Sequence, residues 1–323
     1  MDDSATHEFS ELDTLSFSPP APKTIFVVGM HRSGTSVLAQ TISLMGAFAG
    51  GDSELVAPHP LVNPTGFWER RDVVIEHDRL LRSSGFAWAT VANFSLDRVV
   101  DEHRAELIVR LRAIVGEMAK SASALLIKDP RLCLLLPIWN QFVDAPIHVV
   151  AVRDPRKIAA SLMVAFPDSF TTDFLFALWQ KYMQSALSAL AGKRALFVSY
   201  SRLLEDPDTE IHRLWHGLGE LGVGGLAGFD LERLRGALDG GLDRSEPSPY
   251  SRPNQDQQQL FQWLEHRCEM QGPVEVRDIP DIPPPDVILH ELEGVRKACM
   301  RNGWNLAVNG GTTQAQSAAA QTA

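Results

Sequence analysis

The run Thr24-Ile-Phe-Val-Val-Gly-Met-His-Arg-Ser-Gly-Thr-Ser-Val-Leu-Ala-Gln-Thr-Ile-Ser-Leu-Met45 decides how this chain is read. Ile25 to Val28 is continuously apolar and β-rich, the pattern of a parallel strand buried on both faces. From Val37 onward, Leu38, Thr41, Ile42 and Met45 recur at helical spacing. Between strand and helix stands Gly29-Met-His-Arg-Ser-Gly-Thr-Ser36. A tight loop that opens a helix turns backbone N–H groups and the positive end of the helix dipole onto one point. That is a cradle for an anion.

Gly29 and Gly34 have the spacing of an NTP-binding P-loop, but Thr35 stands where the lysine should follow the second glycine. The cation sits inside the loop instead, as Arg32. Such a loop can hold a phosphate while lacking the lysine that serves β/γ-phosphate chemistry. His31, Arg32, Ser33, Gly34, Thr35 and Ser36 are its candidate ligand-binding residues.

A second candidate lies at Arg153-Asp-Pro-Arg-Lys-Ile-Ala-Ala-Ser161. Asp154 suits an N-cap and Pro155 the first helical position. Arg153 then ends a strand beside a helix N-terminus, with Ser161 about two turns into that helix. An Arg and a Ser so placed can share one phosphate, the first by charge-assisted bonds and the second as a hydroxyl donor.

Further strands are expected at Ala124–Ile127, Ile147–Val152 and Ala195–Ser199. Helices are expected over 67–82, 101–119, 155–163, 172–191, 209–218, 255–268 and 287–301. The alternation predicts an α/β fold, a P-loop-like parallel sheet with helices on both faces. Ligands bind such sheets at the carboxyl ends of the strands. All four strands run into polar residues there: the anion loop, Lys128, Arg153 and Tyr200. The expected organisation is a disordered leader (1–22), one main domain (23–272), a linker and helix (273–308) and a disordered tail (309–323).

The two motifs together resemble the PAPS-dependent sulfotransferase family, where PAPS is 3′-phosphoadenosine-5′-phosphosulfate. The loop is similar to the family's 5′-phosphosulfate loop, and Arg153 and Ser161 match its 3′-phosphate motif. Asn63-Pro-Thr-Gly-Phe-Trp-Glu69 and Lys128-Asp-Pro-Arg131 point to a bacterial, soluble, carbohydrate-type branch. The resemblance covers roughly residues 24–265. It implies a sulfuryl transfer from PAPS to an acceptor hydroxyl, on a carbohydrate or glycoconjugate, with no metal. It also implies that Lys128 meets the transferring group, that Tyr200 sits by the adenine, and that Arg252 returns over the nucleotide from a late loop. Ser201 departs from the family, where an acidic residue often follows the tyrosine. The family's base is often a Glu or His after the 5′ loop. Glu69, following two aromatic residues that can desolvate it, is preferred over Glu54 in its polar run and over His59.

Two other classes stay open. In a P-loop kinase or nucleotide hydrolase, Asp129 or Asp154 would hold Mg²⁺, against which the missing lysine at Thr35 counts heavily. A non-catalytic nucleotide-binding protein is the third. The 323 residues have ordinary globular composition, 45% hydrophobic and 22% charged. The formal net charge of −10 argues against a general nucleic-acid binder. Cys133, Cys268 and Cys299 are odd in number and widely spaced, which fits a reducing, cytoplasmic setting. No run is long enough for a membrane span, and the acidic N-terminus lacks a secretory core.

Overall fold

A computed structural model describes residues 22–300, apart from 60–62, 64, 168, 227–229 and 239–245. The expected leader, save Pro22, and the expected tail lie outside the described residues. The strands are β1 (Lys23–Val28), β2 (Ala124–Lys128), β3 (Ile147–Val152), β4 (Arg194–Ser199) and β5 (Val274–Glu275). They form one sheet in the order β2-β1-β3-β4-β5. The first four are parallel, and β5 pairs antiparallel on the β4 edge.

The helices are α1 (Thr35–Leu44), α2 (Arg71–Ser83), α3 (Asp101–Met118), α4 (Leu132–Trp139), α5 (Pro155–Ala165), α6 (Thr172–Leu190), α7 (Tyr200–Glu205), α8 (Pro207–Glu220), α9 (Leu231–Ala237), α10 (Gln255–Cys268) and α11 (Asp286–Met300). They cover both faces of the sheet. Ile25 and Val27 of β1 point into a core with α1 and α8; Phe26 and Val28 point into the other, with α4 and α6. This period-two division follows from the pleat, and burial on both faces explains why the strands read as unbroken apolar runs. No helix among the described residues is long and apolar enough to cross a membrane.

Several regions differ from the sequence reading, among them α7 and α9, for which it expects no helix. The helix expected from Phe67 begins at Arg71. Its first four residues are committed elsewhere: Trp68 is left-handed (φ 58°), the Phe67 carbonyl accepts from Lys128, and the Glu69 carbonyl accepts from Val56. Residues 132–139, for which the sequence reading expects no element, form α4, almost wholly buried. Residues 273–293, expected as a linker and the start of a helix, contribute β5 and the first part of α11, which packs on α6.

His148, in the central strand β3, stacks on Phe26, and neither ring nitrogen has a hydrogen-bond partner among the described residues. Burial, aided by Lys193, pushes its pKa down from 6.5 to about 4. Between those values the unfolded chain takes up a proton that the folded protein refuses. Stability should therefore be complete above pH 6.5 and fall toward pH 4, by about 3 kcal/mol from this group. Urea midpoints across that range should show the loss in the wild type and much less of it in His148→Phe.

Candidate active site

The site lies where β1, β2, β3 and β4 end. The loop after β1 is sharply bent, with Arg32 at φ 68° and Gly34 at φ 85°, and a Ser33 N–H to Met30 carbonyl bond of 3.1 Å. Gly34 is required twice over. Its φ favours glycine, and a Cβ there would stand 2.2 Å from the Tyr200 ring. Ser33 is buried and its hydroxyl has no hydrogen-bond partner among the described residues. A buried orphan hydroxyl beside a helix N-terminus fits an anionic group of a nucleotide.

One side of the loop is tied to the β3–α5 corner. Arg32 Nε donates to Ser161 Oγ at 2.9 Å, and Arg153 Nη1 donates to the Arg32 carbonyl at 2.7 Å. The Arg153 guanidinium lies 4.5 Å from the centre of the Tyr200 ring. Asp154 caps α5 by accepting from the Arg156 N–H, with Pro155 in the first turn. The sequence reading has Arg153 and Ser161 share one phosphate; here Ser161 accepts from Arg32, and Arg153 donates to the backbone of the loop. Burial lowers the Arg32 pKa, and Arg153 lowers it further.

The other side holds a second cluster. Lys128 Nζ is 2.5 Å from Glu69 Oε1, 3.0 Å from the Phe67 carbonyl and 3.2 Å from Ser36 Oγ. Asn63 Nδ2 also reaches Ser36 Oγ, at 3.2 Å. Burial raises the Glu69 carboxyl above its ordinary range, although the Lys128 charge opposes it. Glu54 is engaged elsewhere: both carboxylate oxygens accept from Arg70 at 3.1 Å, and Oε2 accepts from the Gly51 N–H.

His31 turns away from both clusters. Its ring packs edge-on against Trp88, at 4.5 Å between centroids, and lies 6.0 Å from Tyr182. Burial holds its pKa well below the usual imidazole value, reinforced by Arg131, Lys128 and Arg32. Arg252 is exposed and makes no hydrogen bond or ion pair with these groups among the described residues. His59 bridges Asn63 through backbone bonds.

The structure thus brings Arg32, Ser161, Arg153 and Tyr200 together, and separately Ser36, Lys128 and Glu69, on opposite sides of one loop. Asn63 and His77 are absent from the sequence-derived candidates, and Asp129, the buried partner of His77, is named there only as a metal ligand of the kinase reading. Asn63 opens the segment quoted for Glu69, which is a usable signal; His77 has none, being a lone histidine on an amphipathic helix.

The family model described as the sulfotransferase family matches residues 22–220. No curated protein matches the chain. Among solved structures, the chain is similar to a sulfotransferase domain from the curacin biosynthetic pathway, at 16% identity and a TM-score of 0.43, covering 76% of this chain and 98% of that one. A sulfotransferase from Mycobacterium tuberculosis is similar at 14% identity and 0.44, covering 77% of each chain. The sulfotransferase domain of the Synechococcus olefin synthase is similar at 17% identity and 0.36, covering 85% and 95%.

Gly34→Ala tests the loop geometry. The added methyl group has to displace the Tyr200 ring while the backbone stays left-handed. Chemical unfolding should show a loss of about 2–4 kcal/mol.

Proposed function

The chain belongs to the sulfotransferase family, and from that premise we propose that it moves a sulfuryl group from PAPS to an acceptor hydroxyl. The favoured acceptor class is a carbohydrate or glycoconjugate, and the favoured setting is the cytoplasm. The observation that carries this reading is the meeting of two motifs far apart in sequence: Arg32 of the loop bonds Ser161, and Arg153 bonds the backbone of Arg32. One ligand with anionic groups at both ends accounts for both motifs.

The residues divide the work. The loop amides, Ser33, Thr35 and Ser36 cradle the 5′ end. Arg153 and Ser161 hold the 3′-phosphate, with Tyr200 against the adenine and Arg252 as the late-loop cation. Glu69 takes the proton from the acceptor hydroxyl. The freed oxygen attacks sulfur in line as the bond to the 5′-phosphate oxygen breaks, and adenosine 3′,5′-bisphosphate (PAP) leaves. Lys128 and Arg32 balance the charge that develops on the transferring and leaving oxygens. A carboxylate whose pKa burial raises, with a lysine at 2.5 Å opposing that rise, is suited to act as a base near neutral pH. The transferase unit is taken as residues 23–272.

The kinase reading needs Asp129 or Asp154 for a metal. Asp129 is engaged by Arg131 and His77, and Asp154 by Arg156 and the start of α5. Neither observation favours it.

PAP should bind at least about tenfold tighter than 5′-AMP, a difference of roughly 1.4 kcal/mol or more. Arg153→Ala should weaken PAP by about 2–4 kcal/mol and 5′-AMP by clearly less, because it removes the 3′-phosphate partner but only one of the bonds that hold the loop. Calorimetry decides: equal affinity for the two nucleotides removes the sulfotransferase reading, and an equal weakening of both makes Arg153 a structural residue.

Glu69→Gln should cut turnover by about 10²–10⁴ with PAP binding intact, whereas Glu54→Gln should act mainly on stability. In the wild type, the acid limb of kcat should lie above the ordinary carboxylate range, because burial raises the Glu69 pKa and only the ionised form accepts a proton. A fully active Glu69→Gln would assign the base to another group.

A further inference from the structure

Next to Lys128 lies a buried chain of polar groups that the proposed chemistry leaves unused. His77, on α2, has Nδ1 at 2.8 Å from Asp129 Oδ2 and Nε2 at 2.9 Å from Trp139 Nε1. All three residues are fully buried. An indole N–H only donates, so Nε2 of His77 is the acceptor. The ring proton therefore sits on Nδ1 and is donated to Asp129. Asp129 also accepts from the Arg131 N–H at 2.9 Å and from Arg131 Nη1 at 3.0 Å. Burial alone would raise the Asp129 carboxyl, but Arg131 and His77 outweigh it and hold it well below its ordinary range. Arg131 in turn lies 3.9 Å from Asp78, the residue after His77.

Asp129 is the covalent neighbour of Lys128. His77 lies on the helix that begins two residues after Glu69. The His77–Asp129 bond therefore joins the two backbones that carry the Lys128–Glu69 pair. Buried ionic networks add little net stability over apolar packing, but they fix orientation because every member has a required partner. Apolar packing of α2 is already supplied by Val73, Leu80 and Leu81.

We propose that His77 is a positioning residue of the transfer site, setting through Asp129 where Lys128 stands relative to Glu69. This rests on the reading of Glu69 as the base with Lys128 as its cationic neighbour. The charged groups acting on Glu69 are Lys128, Asp129 and Arg131, and His31 stands in the field of the same three. His77 itself is faced by Asp129 and, through it, by Arg131 and Asp78. If the bond from His77 is lost, the corner after β2 is released and Lys128 withdraws. Burial of Glu69 is then less opposed, and its carboxyl titrates at higher pH.

Two substitutions separate the ring's two bonds. In His77→Asn the amide nitrogen takes the place of Nδ1 and still donates to Asp129. In His77→Gln the amide extends to the place of Nε2 and serves only Trp139. His77→Gln should lower kcat about tenfold or more and move the acid limb of kcat to higher pH, with PAP affinity within about twofold of wild type. His77→Asn should lose far less and leave the limb in place. Equal losses in both variants with no movement of the limb would make His77 a structural residue and overturn the proposal. Should neither variant fold, ¹⁵N NMR of His77 in the wild type decides: a ring whose Nδ1 carries the proton donated to Asp129 supports it, and a ring protonated at Nε2 alone overturns it. Glu69→Gln separates the two levels. If it is fully active, the base reading fails and the positioning role fails with it. If it is inactive while His77→Gln turns over normally, only the positioning role fails.

Discussion

Two arginines meet at the carboxyl edge of the sheet, and the backbone of one is held by the side chain of the other. Arg153 donates to the Arg32 carbonyl, while Arg32 reaches on to Ser161. Burial lowers the Arg32 pKa, and repulsion from the like charge of Arg153 lowers it further. The face of Tyr200 offsets part of that repulsion beneath Arg153, since a guanidinium over an aromatic ring is attracted by the ring's negative face. The same ring leaves no room for a side chain at position 34. Loop shape, cation placement and strand order are thus one constraint. The arrangement exists only if β1, β3 and β4 are adjacent and parallel, so that their ends deliver the loop, Arg153 and Tyr200 to one edge.

This edge was largely legible in the sequence because its signals are local. Ile25–Val28, the glycine-bounded loop and the cap Asp154 with Pro155 each announce themselves within a few residues. The N-cap bond of Asp154 forms as that residue type requires. Elements without local contrast were not legible. α4 is apolar on nearly every side, so no period distinguishes helix from strand. α7 starts directly at the end of β4, leaving no turn residues to mark the change. The helix expected from Phe67 starts late because bonds from Val56 and Lys128 claim the preceding carbonyls, and propensity yields to such tertiary bonds.

Partnership across long sequence separations is the other thing a single sequence hides. Glu69 and Lys128 are each readable as candidates, but only the fold puts them 2.5 Å apart. The engagement of Glu54 by Arg70 is equally invisible in sequence. Arg70 immediately follows Glu69, so one candidate carboxylate helps fix the backbone that presents the other.

The family match ends at residue 220, but the packing that fixes the site does not. Asp286 and Glu293, on α11, accept from the N–H groups of Asn93 and Ala92, and Asp286 also pairs with Lys181 at 2.9 Å. Gln180 and Gln184 of α6 donate to the carbonyls of Pro283 and Ile282. From the same helix, the Tyr182 hydroxyl donates to the Trp88 carbonyl at 2.6 Å, and Trp88 packs on His31 of the anion loop. Glu293 is buried, so losing its partner would leave a carboxylate without compensation, a far larger cost than breaking a surface pair. Residues 279–293 therefore act as a brace for the wall behind the loop. The covalent end of the family pattern and the energetic end of the folded unit fall at different places along this chain.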